Sequence, residues 1–200
     1  MMVMIRSAQE GAVRRITLAA PAQRNLISGT LARDLLAAIA DAERDESTGA
    51  ILIDAEGSIF SNGLDFTNLP RDDFFAARST KPIVAAMQGV ALSAGIALLA
   101  NAHIVVAAQG SSFGLTDIRE GRIDARVNTL VAKVLGERRT RELALTGRIF
   151  TTPEALNWGL VHAATPAFEL DDRATAVAQG IARADRAAIK LVLERAHPSI

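Results

Sequence analysis

Short apolar runs bounded by turn residues fill the first part of the chain, whereas apolar positions spaced three and four residues apart prevail after Gly121. The runs favour strands, which we predict at residues 12–18, 50–54, 83–87, 104–107 and 160–162. The helical spacings predict helices at residues 93–101, 127–135, 138–145, 171–184 and 185–196, with one short helix within residues 70–79. The order of these elements predicts an α/β core over residues 1–135 and a helical C-terminal region over residues 136–200.

Capping residues mark where two further helices begin and end. Ser28 or Thr30 can cap a helix that continues to the charged run near Arg44. A Thr-Pro-Glu sequence starts at Thr152. Because Thr caps helices and Pro suits the first turn, we predict a helix that begins there and ends at Gly159.

Residues 82–108 contain no Lys, Arg, Asp or Glu, and a stretch of this length can span a bilayer. Polar positions such as Gln88, Asn101 and His103 nevertheless break it into three pieces, which favours a strand, a buried helix and a second strand. We therefore expect no membrane partner. We also expect six strand residues in the interior: Ile51, Ile53, Ile83, Val84, Ile104 and Val106.

Composition narrows the possible functions. Hydrophobic residues make up 50% of the chain and the formal net charge is +0, which favours a packed globule and argues against a nucleic-acid partner. There is no Cys, so thiolate catalysis and Cys-type zinc sites are excluded. His103, His162 and His197 are far apart, so we expect no metal site. The N-terminus is charged too early for a signal peptide, and a cytoplasmic location is expected.

Two glycine-containing segments follow predicted strands and are the candidates for chemistry. They are FSNGLD at residues 60–65 and GVALSAG at residues 89–95, where a strand turns into a helix of small residues. A helix N-terminus presents unpaired N–H groups, and a second donor from a neighbouring loop would complete a hole for an oxyanion. On spacing alone, two ordinary strand-to-helix turns with close packing are the simpler interpretation.

Five segments, in order, resemble the crotonase (enoyl-CoA hydratase/isomerase) superfamily. They are ITLAAPAQRNLIS, FSNGLDF, KPIVAAMQGVALSAGIALLANAHIVVAA, SSFGLTDIREG and LALTGRIFTTPEALNWGLV, and the similarity runs from about Gly11 to about Ala184. The resemblance implies a spiral of strand-strand-helix (ββα) units, an acyl-CoA substrate and no cofactor beyond the CoA of that substrate. It also implies a homotrimer or hexamer, in which a partner copy would cover the apolar helical surface from Val127 onward.

The resemblance further implies two backbone donors and a binding loop. Leu64, after the glycine of the first loop, and Ala94, in the glycine-rich turn, hold the positions of the oxyanion N–H donors. The loop that lines the thioester and pantetheine corresponds to Leu64, Asp65, Phe66 and Thr67. Asp65 is expected to bond to its own loop. Arg24 corresponds to a basic residue near the nucleotide, and a solvated surface arginine is an equal alternative.

Carboxylates decide which reaction the resemblance implies. Hydratases of this superfamily hold a water between two carboxylates, and the first of these positions is Ala97 in this chain. The second is Asp117, which can move a proton where burial raises its pKa. The alternative interpretation is that Asp117 is only a loop or capping residue. Glu120 and Asp124 are reserve candidates, with solvent-facing or helix-capping roles expected.

Three hypotheses for the function follow. The leading one is an acyl-CoA enzyme that stabilises an enolate, with isomerase-like chemistry favoured over hydration because one carboxylate can remove and return a proton. The alternative is a non-catalytic acyl-CoA binder, because one acid is missing, the linker after Asp65 is short and the sequence stops before the last helical section of the superfamily. The remote alternative is a Clp-like serine hydrolase with Ser93 near the nucleophile position, although the later segment GLTDIRE has no His.

Overall fold

The computed structural model describes residues 4–195. Nine strands are described: β1 (Ile5–Glu10), β2 (Val13–Leu18), β3 (Ala50–Ala55), β4 (Ile83–Met87), β5 (Val90–Leu92), β6 (Ile104–Ala108), β7 (Ser112–Gly114), β8 (Ile149–Thr151) and β9 (Ala163–Thr165). Within the same residues there are eight α-helices: α1 (Gly29–Arg44), α2 (Asp72–Ala76), α3 (Ala94–Asn101), α4 (Ala125–Leu135), α5 (Glu137–Thr146), α6 (Thr152–Asn157), α7 (Leu170–Ala182) and α8 (Arg186–Arg195).

A six-stranded sheet with the order β1-β2-β3-β4-β6-β9 forms the centre of the fold. Its strands are parallel except for β1, which forms an antiparallel hairpin with β2. Alternate side chains face two apolar clusters. Ile16, Ile51 and Ile53 face the larger core, which includes α1, and Leu52 and Val84 face α7. Helices therefore cover both faces of the central strands, as parallel sheets require.

A second, smaller sheet has the order β5-β7-β8 and continues as a single bridge between Ser61 and Ala91. The chain visits the two sheets in turn. β4 in the large sheet is followed by β5 in the small sheet and then by α3, and β6 is followed by β7 and then by α4. The neighbouring turn consists of β3, the Ser61 bridge and α2. This succession is the predicted spiral of ββα units.

Several sequence predictions need correction. The hairpin strand β1 and the three strands of the small sheet were not predicted. The strand predicted at residues 160–162 is β9, at Ala163–Thr165. The cap of α6 is Thr151, which forms a reciprocal capping box with Glu154, so Thr152 is already helical. Of the six predicted interior residues, Ile104, the first residue of β6, is only partly buried.

The predicted boundary at residues 135 and 136 stays a prediction. After it, α5 to α8 dominate, while β8 and β9 extend both sheets. The expected apolar surface from Val127 onward is confirmed only in part. Val127, Leu130, Val131 and Leu135 pack inward and are buried, whereas Leu145, Phe168, Leu191 and Val192 are exposed. Over residues 4–195, no helix is long and apolar enough to cross a membrane.

Candidate active site

The two glycine-containing segments lie side by side. The Ser61 N–H donates to the Val90 carbonyl at 3.1 Å, and the Leu92 N–H donates to the Ser61 carbonyl at 2.9 Å. Gly95 makes this approach possible, because a Cβ added there would lie 3.0 Å from the Ser61 Cβ and 3.1 Å from its carbonyl oxygen. Glycine is therefore required here for the close packing of the two backbones.

The backbone around Leu64 is fixed by a bridge to Ile27. The Ile27 N–H donates to the Gly63 carbonyl at 2.8 Å, and the Asp65 N–H donates to the Ile27 carbonyl at 3.1 Å. Since successive peptide groups of an extended chain point to opposite sides, the Leu64 N–H points away from Ile27. Among residues 4–195, nothing accepts a hydrogen bond from it, although Leu64 is buried.

Ala94 is the first residue of α3, and its N–H has no acceptor among the residues that the structure describes. The residue before it, Ser93, has φ 45° and ψ −111°, and its own N–H donates to the Gly114 carbonyl at 2.9 Å. A buried donor without a partner costs about 1–3 kcal/mol. Two such donors on adjoining segments, at Leu64 and Ala94, therefore mark a place where a ligand oxygen can bind.

Asp117 begins a short 3₁₀-helix, Asp117–Glu120, and is half-buried beside the start of α3. The Ser93 hydroxyl is hydrogen-bonded to its Oδ2. Burial raises the pKa of the Asp117 carboxyl, the nearby charges of Glu120 and Asp124 raise it further, and the Ser93 hydrogen bond and Arg122 oppose the rise. A carboxyl whose pKa lies above its ordinary value is suited to take up and return a proton.

The reserve acids have other roles. Asp124 caps α4 by accepting from the Arg126 N–H at 2.9 Å, and it forms an ion pair with the Arg126 guanidinium at 2.6 Å. The pKa of Asp124 is lowered, because the hydrogen bonds from Arg126 outweigh the effect of burial. Glu120 is exposed and pairs with Arg122 at 3.5 Å. Their expected capping and solvent-facing roles are confirmed.

The predicted binding loop is held by its own hydrogen bonds. Asp65 Oδ1 accepts from the Thr67 N–H at 3.0 Å and from the Thr67 hydroxyl at 2.6 Å, which lowers the pKa of Asp65 and confirms its expected local role. Phe66 is half-buried, and the guanidinium carbon of Arg122 lies over its ring, 5.1 Å from the ring centroid. The Arg24 carbonyl accepts from the Asn62 N–H at 3.0 Å, and Arg24 is exposed. The expected contact between Arg24 and a nucleotide stays a prediction.

Asn25 is a site-supporting residue to which the sequence reasoning assigned no role. It is fully buried with φ 50°, and its Oδ1 accepts from the Ala20 N–H at 2.9 Å. Its Nδ2 donates to the carbonyls of Glu56 at 3.0 Å and Ile59 at 2.9 Å, directly before the first glycine-containing segment. The only local signal is the residue type, since Asn tolerates left-handed backbone and bonds to nearby main chain.

Histidines near the sheet have structural contacts. His103 Nδ1 accepts from the Ile83 N–H at 2.9 Å, and His162 Nδ1 accepts from the Val105 N–H at 3.0 Å. Burial lowers the pKa of His162. Over residues 4–195, no group of three His, Cys, Asp or Glu side chains is arranged to hold a metal ion, and His197 lies outside the described residues.

Comparison with known proteins identifies the family. Residues 8–199 match the enoyl-CoA hydratase/isomerase family. A rat protein, enoyl-CoA hydratase domain-containing protein 3, is 30% identical over 199 residues, which are 92% of this chain and 66% of that protein. The crystal structure of an enoyl-CoA hydratase from Mycobacterium avium has a TM-score of 0.89 at 29% identity and covers 98% of this chain and 88% of its own. The crystal structure of the human enoyl-CoA hydratase domain-containing protein 3 has a TM-score of 0.87 at 26% identity and covers 95% of this chain and 81% of its own. The chain therefore belongs to the enoyl-CoA hydratase/isomerase family and has the crotonase fold.

Proposed function

We propose that the protein acts on the thioester of an enoyl-CoA, stabilises its enolate with the N–H groups of Leu64 and Ala94, and moves protons with Asp117. The two unpaired, buried N–H donors on adjoining segments carry this proposal. An anionic oxygen would satisfy both donors, and the positive end of the α3 dipole would add to its stabilisation. Removal of one such donor typically costs about 10²–10³ in kcat.

The single carboxylate favours movement of a double bond over addition of water. Ala97, where hydratases of the superfamily have the first acid, is a buried methyl group in the main core. Asp117 would remove a proton from Cα of a β,γ-enoyl-CoA, the thioester oxygen would carry the resulting dienolate charge, and the same carboxyl would return the proton at Cγ. No second acid is needed for this sequence, whereas efficient hydration also requires a group that orients the water.

The remaining features of the proposal concern substrate contacts and assembly. Leu64 to Thr67 would line the thioester and pantetheine, Arg24 would lie near the nucleotide, and CoA enters only as part of the substrate. A homotrimer or hexamer is proposed as well. Exposed apolar side chains on α8, where Leu191 is 57% and Val192 67% accessible, support an association between copies.

A turnover screen with product analysis tests the function. Short and medium β,γ- and α,β-enoyl-CoAs are incubated with the protein, and isomer, hydrate and unreacted substrate are separated by chromatography. We expect the α,β-isomer as the main product of β,γ-substrates, with little 3-hydroxyacyl-CoA. Hydrate as the main product would contradict the single-acid chemistry. Measurable acyl-CoA binding with no product from any substrate would instead favour a non-catalytic binder.

A further inference from the structure

Ser93 occupies a strained position between β5 and α3. With φ 45° and ψ −111° it lies in a region that glycine enters readily and that costs another residue about 1–3 kcal/mol. Ser93 has no exposed surface. A serine kept in such a place indicates that its hydroxyl has a use that glycine would not supply.

Two contacts connect Ser93 to the segment that carries the proposed acid. Its N–H donates to the carbonyl of Gly114, the last residue of β7, at 2.9 Å, and its hydroxyl is bonded to Asp117 Oδ2. The same residue directly precedes Ala94, whose N–H is one of the two proposed oxyanion donors. Ser93 is therefore the covalent and hydrogen-bonded link between the proposed oxyanion donor and the proposed proton carrier.

We propose that Ser93 is a positioning residue, whose hydroxyl donates to Asp117 Oδ2 and holds the carboxylate so that Oδ1 is the oxygen that carries the proton. This inference rests on the proposed function and identifies the residue that orients the Asp117 carboxylate. An Asp side chain is one methylene shorter than the Glu that is usual in the superfamily, so a fixed orientation matters more for its reach to the substrate.

The hydroxyl also affects how readily the carboxyl ionises. A donor bound to a carboxylate favours the charged form, and here it acts together with Arg122 against burial, Glu120 and Asp124. Loss of the Ser93 hydroxyl should therefore raise the pKa of Asp117. Proton removal from substrate needs the ionised form, so the acidic limb of kcat/KM should move to higher pH.

The contacts of Ser93 differ from those of an activated nucleophile. Its hydroxyl is bonded to a carboxylate rather than to a histidine, and the residue is enclosed by protein. Acyl transfer to Ser93 would leave an ester on its Oγ and release the CoA thiol. The positioning role predicts neither product.

The test compares Ser93→Gly, Ser93→Ala and Ser93→Cys with the parent protein, and Ser7→Ala, an exposed serine on β1, is the control. Glycine accommodates the positive φ, so that variant should fold even where alanine does not. We expect kcat for isomerisation to fall by about 10- to 100-fold in Ser93→Gly, the range supplied by one hydrogen bond to a charged group. KM should change little, Ser93→Cys should be intermediate as a weak donor, and Ser7→Ala should match the parent.

A second readout does not depend on turnover. The ¹³C shift of the Asp117 carboxyl carbon, followed over pH, should give a higher pKa in Ser93→Gly than in the parent. An unchanged Asp117 titration and an unchanged acidic limb in Ser93→Gly would overturn the inference, and so would an acyl group found on Ser93 with thiol release from a saturated acyl-CoA. Failure of the proposed function has a different signature, since the parent would then produce neither isomer nor hydrate while the titration shift persisted.

Discussion

Substitution of Gly95 by Ala tests whether the two glycine-containing segments must approach each other. The added Cβ would lie 3.0 Å from the Ser61 Cβ and 3.1 Å from the Ser61 carbonyl oxygen, closer than ordinary van der Waals contact. Alanine gains about 1 kcal/mol over glycine inside a helix. Overpacking of a core costs about 1–3 kcal/mol. The net effect on the free energy of unfolding should therefore range from about zero to a loss of about 2 kcal/mol.

The same substitution should affect turnover more than stability. Relief of the contact pushes Ser61 and the start of α3 apart, which changes the distance between the Leu64 and Ala94 donors. Each donor is worth about 10²–10³ in kcat, so we expect a loss of at least tenfold in kcat/KM. Gly180→Ala in α7 is the matched control, because nothing lies within 4 Å of its added Cβ. It should gain about 1 kcal/mol of stability and keep full activity.

Urea denaturation gives the stability of both variants, and initial rates with a β,γ-enoyl-CoA give kcat/KM. If Gly95→Ala became as stable as Gly180→Ala and kept its kcat/KM, the two segments would not need their close contact. The proposal that this contact sets the distance between the Leu64 and Ala94 donors would then be refuted.

Three further predictions concern the polar side chains of Asp117, His162 and Asn25. Asp117→Asn should raise the melting temperature at pH 7. Because the pKa of Asp117 is raised in the fold, the carboxyl contributes stability below its unfolded pKa, and this contribution is lost as pH rises through the folded pKa. The gain from Asp117→Asn should therefore vanish in acid. His162→Gln should reduce the loss of urea stability between pH 7 and pH 5. The lowered pKa of His162 gives a contribution that is present above its unfolded pKa and is lost as pH falls through the folded pKa, when protonation breaks the bond from Val105. Asn25→Ala should cost about 3 kcal/mol or more in urea denaturation, since the buried Ala20 N–H and the partly buried carbonyls of Glu56 and Ile59 lose their partner. A loss below about 1 kcal/mol would mean that water replaces the amide.

The large sheet was predictable because its inner strands are apolar runs. β3, β4 and β6 were placed within one residue of their ends. The small sheet was not predictable in this way, because three-residue strands such as β5 are too short to show a period. β1 was missed since its side chains are mostly exposed and do not alternate.

The candidate site could be predicted only in part from the sequence. Local spacing left both glycine-containing segments open between a donor pair and ordinary turns, and the assignment of Leu64, Ala94 and Asp117 came from the family resemblance. Tertiary contacts supplied the rest. Ser93 and Asp117 are 24 residues apart in the chain, and Asn25 bonds to carbonyls 31 and 34 residues away. No local pattern reports such pairs.

The activity of Asp117→Asn, measured beside its affinity for acyl-CoA, tests whether Asp117 carries the proton while the backbone donors bind the thioester. General acid–base catalysis is typically worth about 10²–10⁴-fold, so isomerisation of a β,γ-enoyl-CoA should fall by that factor. The Kd for a saturated acyl-CoA, measured by titration calorimetry, should stay nearly unchanged because the backbone donors remain. Asp172→Asn, an exposed acid in the first turn of α7, should behave like the parent. Full isomerase activity in Asp117→Asn would contradict the account and move the proton-transfer role to another group.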